Sequence, residues 1–190
     1  DHVSVAFFGD GAMSQGILYE AMNMAALWRL PVMFCCINNQ YGMGTRVDRS
    51  AGRVAFAERA RAFGLVAETV DGSDVEAVHE AAQALMAGAR EGFLEISAFR
   101  FYGHARMDKS PYRTPEEEAE GRQRDPVALA RARLIAEGQA TADDLVLIDA
   151  EASKEMDAAL AHAIDAPAPV LPTMFEDVYA PGTPAPKPQA

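Results

Sequence analysis

The chain has 190 residues, of which 49% are hydrophobic and 24% are charged, and its formal net charge is −11. Such an acidic chain repels nucleic acid and anionic membrane surfaces, which excludes both as partners. Any phosphate bound here must be held by a metal ion and by backbone N–H groups, not by a basic patch.

The first forty residues predict a strand, a helix and a second strand. Residues 3–8 are an apolar run that ends at Gly9-Asp10-Gly11, which predicts a buried strand and a tight turn. Ser14 is expected to cap the helix that follows. Residues 32–37 predict another apolar strand, which stops at Asn38-Asn39. This order favours a parallel sheet that is covered on both faces.

The second strand contains both cysteines of the chain, Cys35 and Cys36. Adjacent cysteines cannot staple a fold, which favours a reducing compartment. No stretch approaches transmembrane length and no signal peptide is recognisable, so we expect a cytoplasmic protein. Because Asp1 is not a methionine and a strand begins almost at once, we also expect that upstream chain is missing.

Strands and helices continue to alternate further along the chain. Residues 42–50 are rich in Gly and Arg and predict a loop. The next predicted elements are a helix at 54–63, a strand at 66–70, a helix capped by Ser73 or Asp74 and a strand at 93–99. The alternation predicts an α/β fold with a doubly wound, mostly parallel sheet.

The pattern changes after the last strand. Residues 102–115 predict a polar loop, and such loops at strand ends are where open α/β sheets place ligand contacts. Two helices are predicted next, over 126–137 and 142–164. We therefore predict an α/β domain with C-terminal helices over residues 1–165, and a Pro-rich tail over residues 166–190.

Polar residues follow both strands of the first β-α-β unit. Asp10 and Asn39 are 29 positions apart, but a right-handed crossover puts the two strand ends at one edge of the sheet. Carboxylate and amide oxygens suit Mg²⁺, which completes its octahedron with phosphate oxygens and water. Gly11 and Ala12 lie at the amino end of the next helix, where free N–H groups favour a diphosphate. The sequence predicts a Mg²⁺-diphosphate clamp.

These residues also resemble a known family. Gly-Asp-Gly followed at this spacing by Asn-Asn is the thiamine diphosphate motif. Segments 9–16, 20–28 and 38–45 are similar to the alpha subunits of pyruvate and acetoin dehydrogenases, the decarboxylating components of 2-oxo acid dehydrogenases. The resemblance continues through residues 100–113 and the terminal helices. It identifies the chain as the carboxy-terminal half of such a subunit.

The resemblance implies two cofactors, thiamine diphosphate and Mg²⁺. It implies that Asp10 and Asn39 ligate Mg²⁺ through their side chains and that Tyr41 does so through its backbone carbonyl. Gly11 and Ala12 would contact the diphosphate.

A histidine in the long loop is the candidate catalytic residue. The family histidine that matches His104 contacts the coenzyme diphosphate and is implicated in passing the acyl group to lipoyl. An imidazole there can donate to phosphate or move a proton near neutral pH. Ala105 stands where mammalian pyruvate dehydrogenases usually have serine, which excludes phosphorylation at that position and favours a bacterial source. Tyr102 replaces a histidine, which loosens the inference about the substrate.

Several roles stay open at this point. Glu20 and Asn23 share one helix face, where a polar stripe on an interface helix is at least as good an interpretation as catalysis. Arg100, Arg106 and Arg113 could order the loop through Asp108 or bind a carboxylate.

The resemblance implies an active unit of two alpha and two beta chains within a multienzyme complex. The beta chain would supply the glutamate that activates the coenzyme, and a separate acyltransferase would receive the acyl group on its lipoyl group. Pyruvate, a branched 2-oxo acid and acetoin all remain candidate substrates, and we expect the chain to be inactive alone. One alternative is a non-catalytic interaction subunit that keeps the fold, against which intact Asp10, Asn39 and His104 weigh. Another is a Mg²⁺-dependent phosphatase or kinase, which would need a second acid near Asp10.

Overall fold

A computed structural model describes residues 2–52, 55–88, 91–105, 107–109 and 112–176. Its contacts divide the chain into two compact units, Asp1–Gln139 and Ala140–Ala190. The first unit contains all the described strands. The predicted Pro-rich tail belongs to the second unit, and its residues 177–190 lie outside the described part.

In chain order, the elements of the first unit are β1 (Ser4–Gly9), a 3₁₀ turn (Asp10–Ser14), α1 (Gly16–Trp28), β2 (Val32–Asn38), β3 (Tyr41–Gly42), β4 (Thr45–Arg46), α2 (Val47–Ser50), α3 (Phe56–Ala62), β5 (Val66–Asp71), α4 (Val75–Gly88), β6 (Glu91–Ser97), α5 (Pro115–Gln123) and α6 (Pro126–Ala136). The second unit contains α7 (Ala142–Asp165) and a 3₁₀ turn (Leu171–Phe175). Of the described helices, none combines the length and apolar character that a bilayer crossing requires.

Within the described part of the chain, the main sheet has four parallel strands in the order β1-β2-β6-β5. Successive residues of β2 point to opposite faces, so Phe34 and Cys36 pack into one core cluster and Met33 and Cys35 into the other. The predicted α/β fold with a parallel sheet is therefore confirmed. Both cysteines are buried free thiols, and burial raises the pKa of each.

Strand β1 is less buried than its apolar sequence predicts. Among the described strands it pairs only with β2, and Phe7 is 72% exposed. Its other face does reach the core, where the ring of Phe8 lies 6.2 Å from that of Phe93. The expectation of a buried first strand is wrong for the described residues, because the face of β1 that carries Phe7 is left exposed by the described elements.

The predicted cap of the first helix is also wrong. Ser14 ends the 3₁₀ turn, and its hydroxyl donates to the carbonyl of Ser50 at 3.1 Å. Helix α1 instead begins at Gly16 after Gln15, whose side chain makes no capping bond. Gly11 and Ala12 consequently lie in the 3₁₀ turn and not in the first turn of the α-helix.

The segment predicted as a loop over residues 42–50 has regular structure. Strands β3 and β4 pair antiparallel, with Tyr41 opposite Arg46, and α2 follows at once. Met43 and Gly44 close this hairpin, and Met43 has a φ of 57°, in the left-handed region that such tight turns use. Strands β3 and β4 have two residues each, which is too short for an alternation of apolar and polar residues to be recognised in the sequence.

Helix α5 was not expected from the sequence. It begins after Thr114 with a capping box, in which the Thr114 hydroxyl accepts from the N–H of Glu117 at 3.1 Å and the Glu117 carboxylate accepts from the N–H of Thr114 at 3.1 Å. Pro115 occupies the first helical position, which suits its fixed φ. The capping signal was present, but the helix is too polar to show an apolar face.

Replacing Glu117 with Gln should lower the melting temperature most at neutral pH. The Thr114 N–H, the Tyr41 hydroxyl and the charges of Arg46 and Arg113 hold the pKa of the Glu117 carboxyl below its usual range. An acid of lowered pKa stabilises the fold above its unfolded pKa and loses that contribution as the pH falls through the folded value. We expect a loss of about 1 kcal/mol near pH 7.

The measurement is thermal unfolding of the wild type and E117Q between pH 7 and pH 3, with E116Q as the control. Glu116 is an exposed neighbour in the same helical turn. The difference for E117Q should shrink as the pH falls. A difference that stays constant over this range would show that the carboxylate charge does not contribute.

Candidate functional site

The first two strands end at one edge of the sheet, as the sequence predicts. Strands β1 and β2 pair in parallel, with Gly9 opposite Ile37, so the turn after β1 lies beside the segment that follows β2. The two segments touch, because a Cβ atom built on Gly42 would lie 3.5 Å from the Cα atom of Gly11. Asp10 and the Asn38-Asn39 pair therefore occupy the same corner of the fold.

Asp10 places a buried carboxyl group at this corner. It is only 3% exposed, and its Oδ2 atom has no hydrogen-bond partner among the described residues. Desolvation raises the pKa of Asp10, although hydrogen bonds from the backbone of Asp10 and Asn39 and the positive charge of Arg100 act in the opposite direction. A buried carboxylate with an unsatisfied oxygen is costly unless a cation pairs with it. Asp10 is therefore suited to act as a metal ligand.

The segment after β2 supplies neutral oxygen atoms beside Asp10. The Asn39 side-chain oxygen accepts from the N–H of Tyr41 at 3.1 Å, which fixes its orientation and leaves a second lone pair. The Tyr41 side chain is buried, and its hydroxyl donates to Glu117 at 3.0 Å. Metal ligation by Asn39 and by the Tyr41 carbonyl stays a prediction.

The donor set at this corner favours a hard cation. Within the described ranges, no three or more His, Cys, Asp or Glu residues cluster as a metal site would require. A metal here would therefore need amide and carbonyl oxygens together with oxygens from a phosphate or water. Mg²⁺ is the ion that accepts few protein ligands and keeps such outside oxygens.

Glu95 is a buried residue at this edge that sequence reasoning missed. Its carboxylate accepts from the side-chain amide of Asn38 at 2.8 Å. The available signal was one acidic residue between the apolar neighbours Leu94 and Ile96 of strand β6. A charged side chain in the middle of a buried strand requires hydrogen-bond partners. Here the partner is Asn38, the residue before the predicted ligand Asn39.

The loop after β6 is tied to the same corner by Arg100. Its guanidinium donates to the carbonyl of Met43 at 2.7 Å and to the hydroxyl of Tyr112 at 2.8 Å. Tyr112 in turn donates to the Asp108 carboxylate at 2.9 Å. Arg100 thus connects the loop with the hairpin, and it reaches Asp108 through Tyr112. Arg106, another arginine with an open role, lies outside the described residues.

His104 is held in this network by both its backbone and its ring. Its N–H donates to Asp108 at 2.9 Å, and its Nδ1 atom lies 3.4 Å from a guanidinium nitrogen of Arg100. Because a guanidinium can only donate, this contact is a hydrogen bond when Nδ1 of the neutral ring accepts, and in that tautomer the proton is on Nε2. The ring is exposed, so Nε2–H is free to donate to a phosphate oxygen. The catalytic role of His104 stays a prediction.

The remaining polar residues singled out from the sequence lie elsewhere. Glu20 and Asn23 are on the exposed part of α1, with no place in the corner around Asp10. Gly11 and Ala12 lie in the 3₁₀ turn next to Asp10, so contact with a diphosphate remains compatible with their position.

A cavity of about 340 Å³ opens at the same sheet edge. Asn39 and Tyr41 are among the residues that line it, as are Asp71 and Arg124, which pair at 2.6 Å. The cavity therefore adjoins the predicted clamp and carries charges of both signs.

Comparison with known proteins agrees with the motif. Residues 1–171 match the family model described as the dehydrogenase E1 component. The pyruvate dehydrogenase E1 component subunit alpha of Rhizobium meliloti is 39% identical over 183 residues, covering 94% of this chain and 53% of that protein. The mitochondrial subunit alpha of Dictyostelium discoideum is 42% identical over 185 residues, covering 94% and 48%. The somatic, mitochondrial form of Homo sapiens is 39% identical over 186 residues, covering 94% and 47%.

The chain thus spans about half the length of the curated relatives it matches. The matched region includes the parallel sheet, the turns at its carboxyl edge and the loop that contains His104. The resemblance inferred from the motif is confirmed, and the chain belongs to the dehydrogenase E1 component family.

Proposed function

We propose that the chain is the cofactor-binding part of the alpha subunit of a thiamine-diphosphate-dependent dehydrogenase. The enzyme decarboxylates a 2-oxo acid such as pyruvate and passes the acyl group to the lipoyl group of an acyltransferase. The relatives named as pyruvate dehydrogenase alpha subunits support this reaction class. The observation that carries the proposal is the buried, unsatisfied carboxylate of Asp10 beside Asn39 at the sheet edge.

Thiamine diphosphate, when bound, supplies the nucleophilic carbon that adds to the substrate carbonyl and accepts the electron pair released by decarboxylation. The residues of this chain hold the coenzyme in place. Asp10 and Asn39 bind Mg²⁺ through side-chain oxygens and Tyr41 binds it through its carbonyl, while backbone N–H groups of Gly11 and Ala12 contact the diphosphate.

His104 acts from the loop that covers the site. Its Nε2–H donates to a diphosphate oxygen, and the same group can move a proton when the acyl group passes to lipoyl. Arg100 favours the tautomer with the proton on Nε2 and anchors the loop to the hairpin through Met43. The loop therefore connects coenzyme binding with acyl transfer.

The site is completed by a second subunit. A beta chain covers the reactive part of the coenzyme and supplies the activating glutamate, in an assembly of two alpha and two beta chains. The names of the relatives, which describe alpha subunits of an E1 component, support a beta partner. The assembly works in a bacterial cytoplasm, for which the buried free thiols of Cys35 and Cys36 are suited.

The test is a substrate comparison with the whole protein and its partner subunit, with a dye as electron acceptor. Pyruvate should release CO₂ only when both Mg²⁺ and thiamine diphosphate are present. With the dye as oxidant, pyruvate would give CO₂ and acetate, a branched 2-oxo acid would give CO₂ and a branched carboxylic acid, and acetoin would give acetaldehyde and acetate without CO₂. The substrate that turns over and the acid that it forms therefore separate the three substrate classes. A folded assembly that binds no coenzyme would instead favour the non-catalytic interaction subunit.

A further inference from the structure

A buried acid in the central strand β6 lies behind the clamp. Glu95 is 5% exposed, and it faces the core beneath the carboxyl edge of the sheet, opposite Cys36 in the strand register. A carboxylate at such a position is costly unless its oxygens are hydrogen-bonded. Neither the metal site nor the loop chemistry proposed above uses this residue.

The partners of Glu95 explain how its charge is tolerated. One oxygen accepts from the Asn38 amide at 2.8 Å, and the other accepts from the backbone N–H of Ala57 at 3.1 Å. The Thr69 hydroxyl adds a longer contact at 3.4 Å. Asn38 and Ala57 both donate, so only a side chain with two accepting oxygens can satisfy the two donors together.

Asn38 transmits this constraint to the turn that follows. Because its Nδ2 must face Glu95, its Oδ1 must face the other way, where it accepts from the backbone N–H of Gln40 at 3.1 Å and from the Gln40 side chain at 2.7 Å. Gln40 is held at a φ of 68°, in the left-handed region that non-glycine residues seldom adopt. The two hydrogen bonds that Gln40 donates to Asn38 hold that conformation.

Gln40 lies between the two predicted metal ligands of this segment. Its left-handed conformation decides where the Asn39 side chain and the Tyr41 carbonyl lie relative to Asp10. We infer that Glu95 is a positioning residue, which fixes the orientation of the Asn38 amide and through it presents Asn39 and Tyr41 to Mg²⁺. This inference rests on the proposed function, because it assigns Mg²⁺ to the corner around Asp10.

The replacement Glu95→Gln isolates the orientation effect. A glutamine has one accepting oxygen and one donating nitrogen, so it can satisfy either Asn38 or Ala57 but not both. If the Asn38 amide reverses to meet the new donor, its nitrogen then opposes the two donors of Gln40. Either result loosens the turn between the ligands.

A second replacement should restore the turn. In N38D/E95Q, the aspartate introduced on β2 accepts from the amide of the glutamine introduced on β6 with one oxygen and from Gln40 with the other. The side-chain oxygen of the introduced glutamine then accepts from the N–H of Ala57. Every donor and acceptor in this group then has a partner, and the buried negative charge is at position 38 instead of position 95. The single variant Asn38→Asp places two carboxylates against each other and should not bind as well as the double variant.

The experiment measures the Mg²⁺ dissociation constant by calorimetry at saturating thiamine diphosphate, in the whole protein with its partner subunit. E95Q should bind Mg²⁺ about 10- to 100-fold more weakly, as expected when an outer-shell partner is lost. N38D/E95Q should recover most of the affinity. The control is Leu94→Ala, which removes a buried side chain on the opposite face of the same strand and should lower the melting temperature without changing Mg²⁺ affinity.

The outcomes separate the inference from the proposed function. Wild-type affinity in E95Q, or a double variant no better than E95Q, overturns the positioning role while the proposed function stands. A wild-type protein that binds no Mg²⁺ overturns both. If E95Q fails to fold, the Mg²⁺ affinity of N38D/E95Q is compared with that of N38D. A double variant that binds Mg²⁺ no better than N38D contradicts the inference.

Discussion

Replacing Asp10 with Asn is expected to abolish Mg²⁺-dependent binding of thiamine diphosphate. The variant removes the negative charge of a carboxylate whose Oδ2 atom has no hydrogen-bond partner among the described residues. This carboxylate lies at the corner where β1 and β2 end. A neutral amide cannot balance a divalent cation that also meets a diphosphate. Loss of an outer-shell partner costs about 10- to 100-fold in metal affinity, so loss of this carboxylate should cost more than about 100-fold.

The same variant should be more heat-stable than the wild type when no metal is present. Because desolvation raises the pKa of Asp10, its ionised form weakens the fold at pH values above that pKa. The gain in D10N should therefore be largest at neutral pH and should vanish as the pH falls below the unfolded pKa of an aspartate. Loss of binding combined with a gain in stability is the signature of a ligand and not of a structural residue.

Calorimetry with and without Mg²⁺ and thermal unfolding over pH test these two expectations. Asp48→Asn is the matched control, because Asp48 is an exposed carboxylate in the adjacent helix α2 that pairs with Arg46 at the surface. It should change neither coenzyme affinity nor the pH profile. Coenzyme binding by D10N with the affinity of the wild type would remove Asp10 from the clamp.

Replacing His104 with Ala should separate coenzyme binding from acyl transfer. The ring contributes one hydrogen bond to a charged phosphate, so coenzyme affinity should fall by about 10- to 100-fold, and both rates are measured at saturating coenzyme. Acyl transfer to lipoyl should fall by about 10²- to 10⁴-fold, which is the usual contribution of a positioned acid or base. The rate with a dye acceptor should fall far less than the rate with the lipoylated acyltransferase.

Both rates should be compared with those of His79→Ala, which removes an exposed imidazole from helix α4. That control should match the wild type in each assay. An H104A protein that loses the dye rate and the lipoyl rate by the same factor would assign His104 to decarboxylation or to loop structure, and not to the transfer step.

The parallel sheet and the corner shared by Asp10 and Asn39 could be predicted from the sequence because their signals are local, whereas the clamp itself stays a prediction. Apolar runs define β1 and β2, and a parallel crossover brings their carboxyl ends together whatever the intervening helix does. Asp10 and Asn39 therefore come together by topology alone. The capping roles of Asp125 and Thr141 at helices α6 and α7 follow from equally local geometry.

Two of the features that were missed, the hydrogen bond of Ser14 and the role of Glu95, depend on tertiary contacts. Ser14 has the chemistry of a helix cap, but its hydroxyl is drawn to the carbonyl of Ser50, 36 residues away. Helix α5 is stabilised at its start by Thr114 and Glu117 and offers no apolar periodicity. Glu95 acquires its role only because β6 lies next to β2, a neighbour relation that one sequence does not specify.

The most direct test of the clamp is a crystal structure of the whole protein with its partner subunit, thiamine diphosphate and Mn²⁺. Mn²⁺ replaces Mg²⁺ because its anomalous scattering reveals its position. The account predicts one metal peak in contact with Oδ2 of Asp10, the side-chain oxygen of Asn39 and the carbonyl of Tyr41, with diphosphate oxygens completing the octahedron. A metal bound elsewhere, or a bound coenzyme with Asp10 outside its coordination sphere, would contradict it.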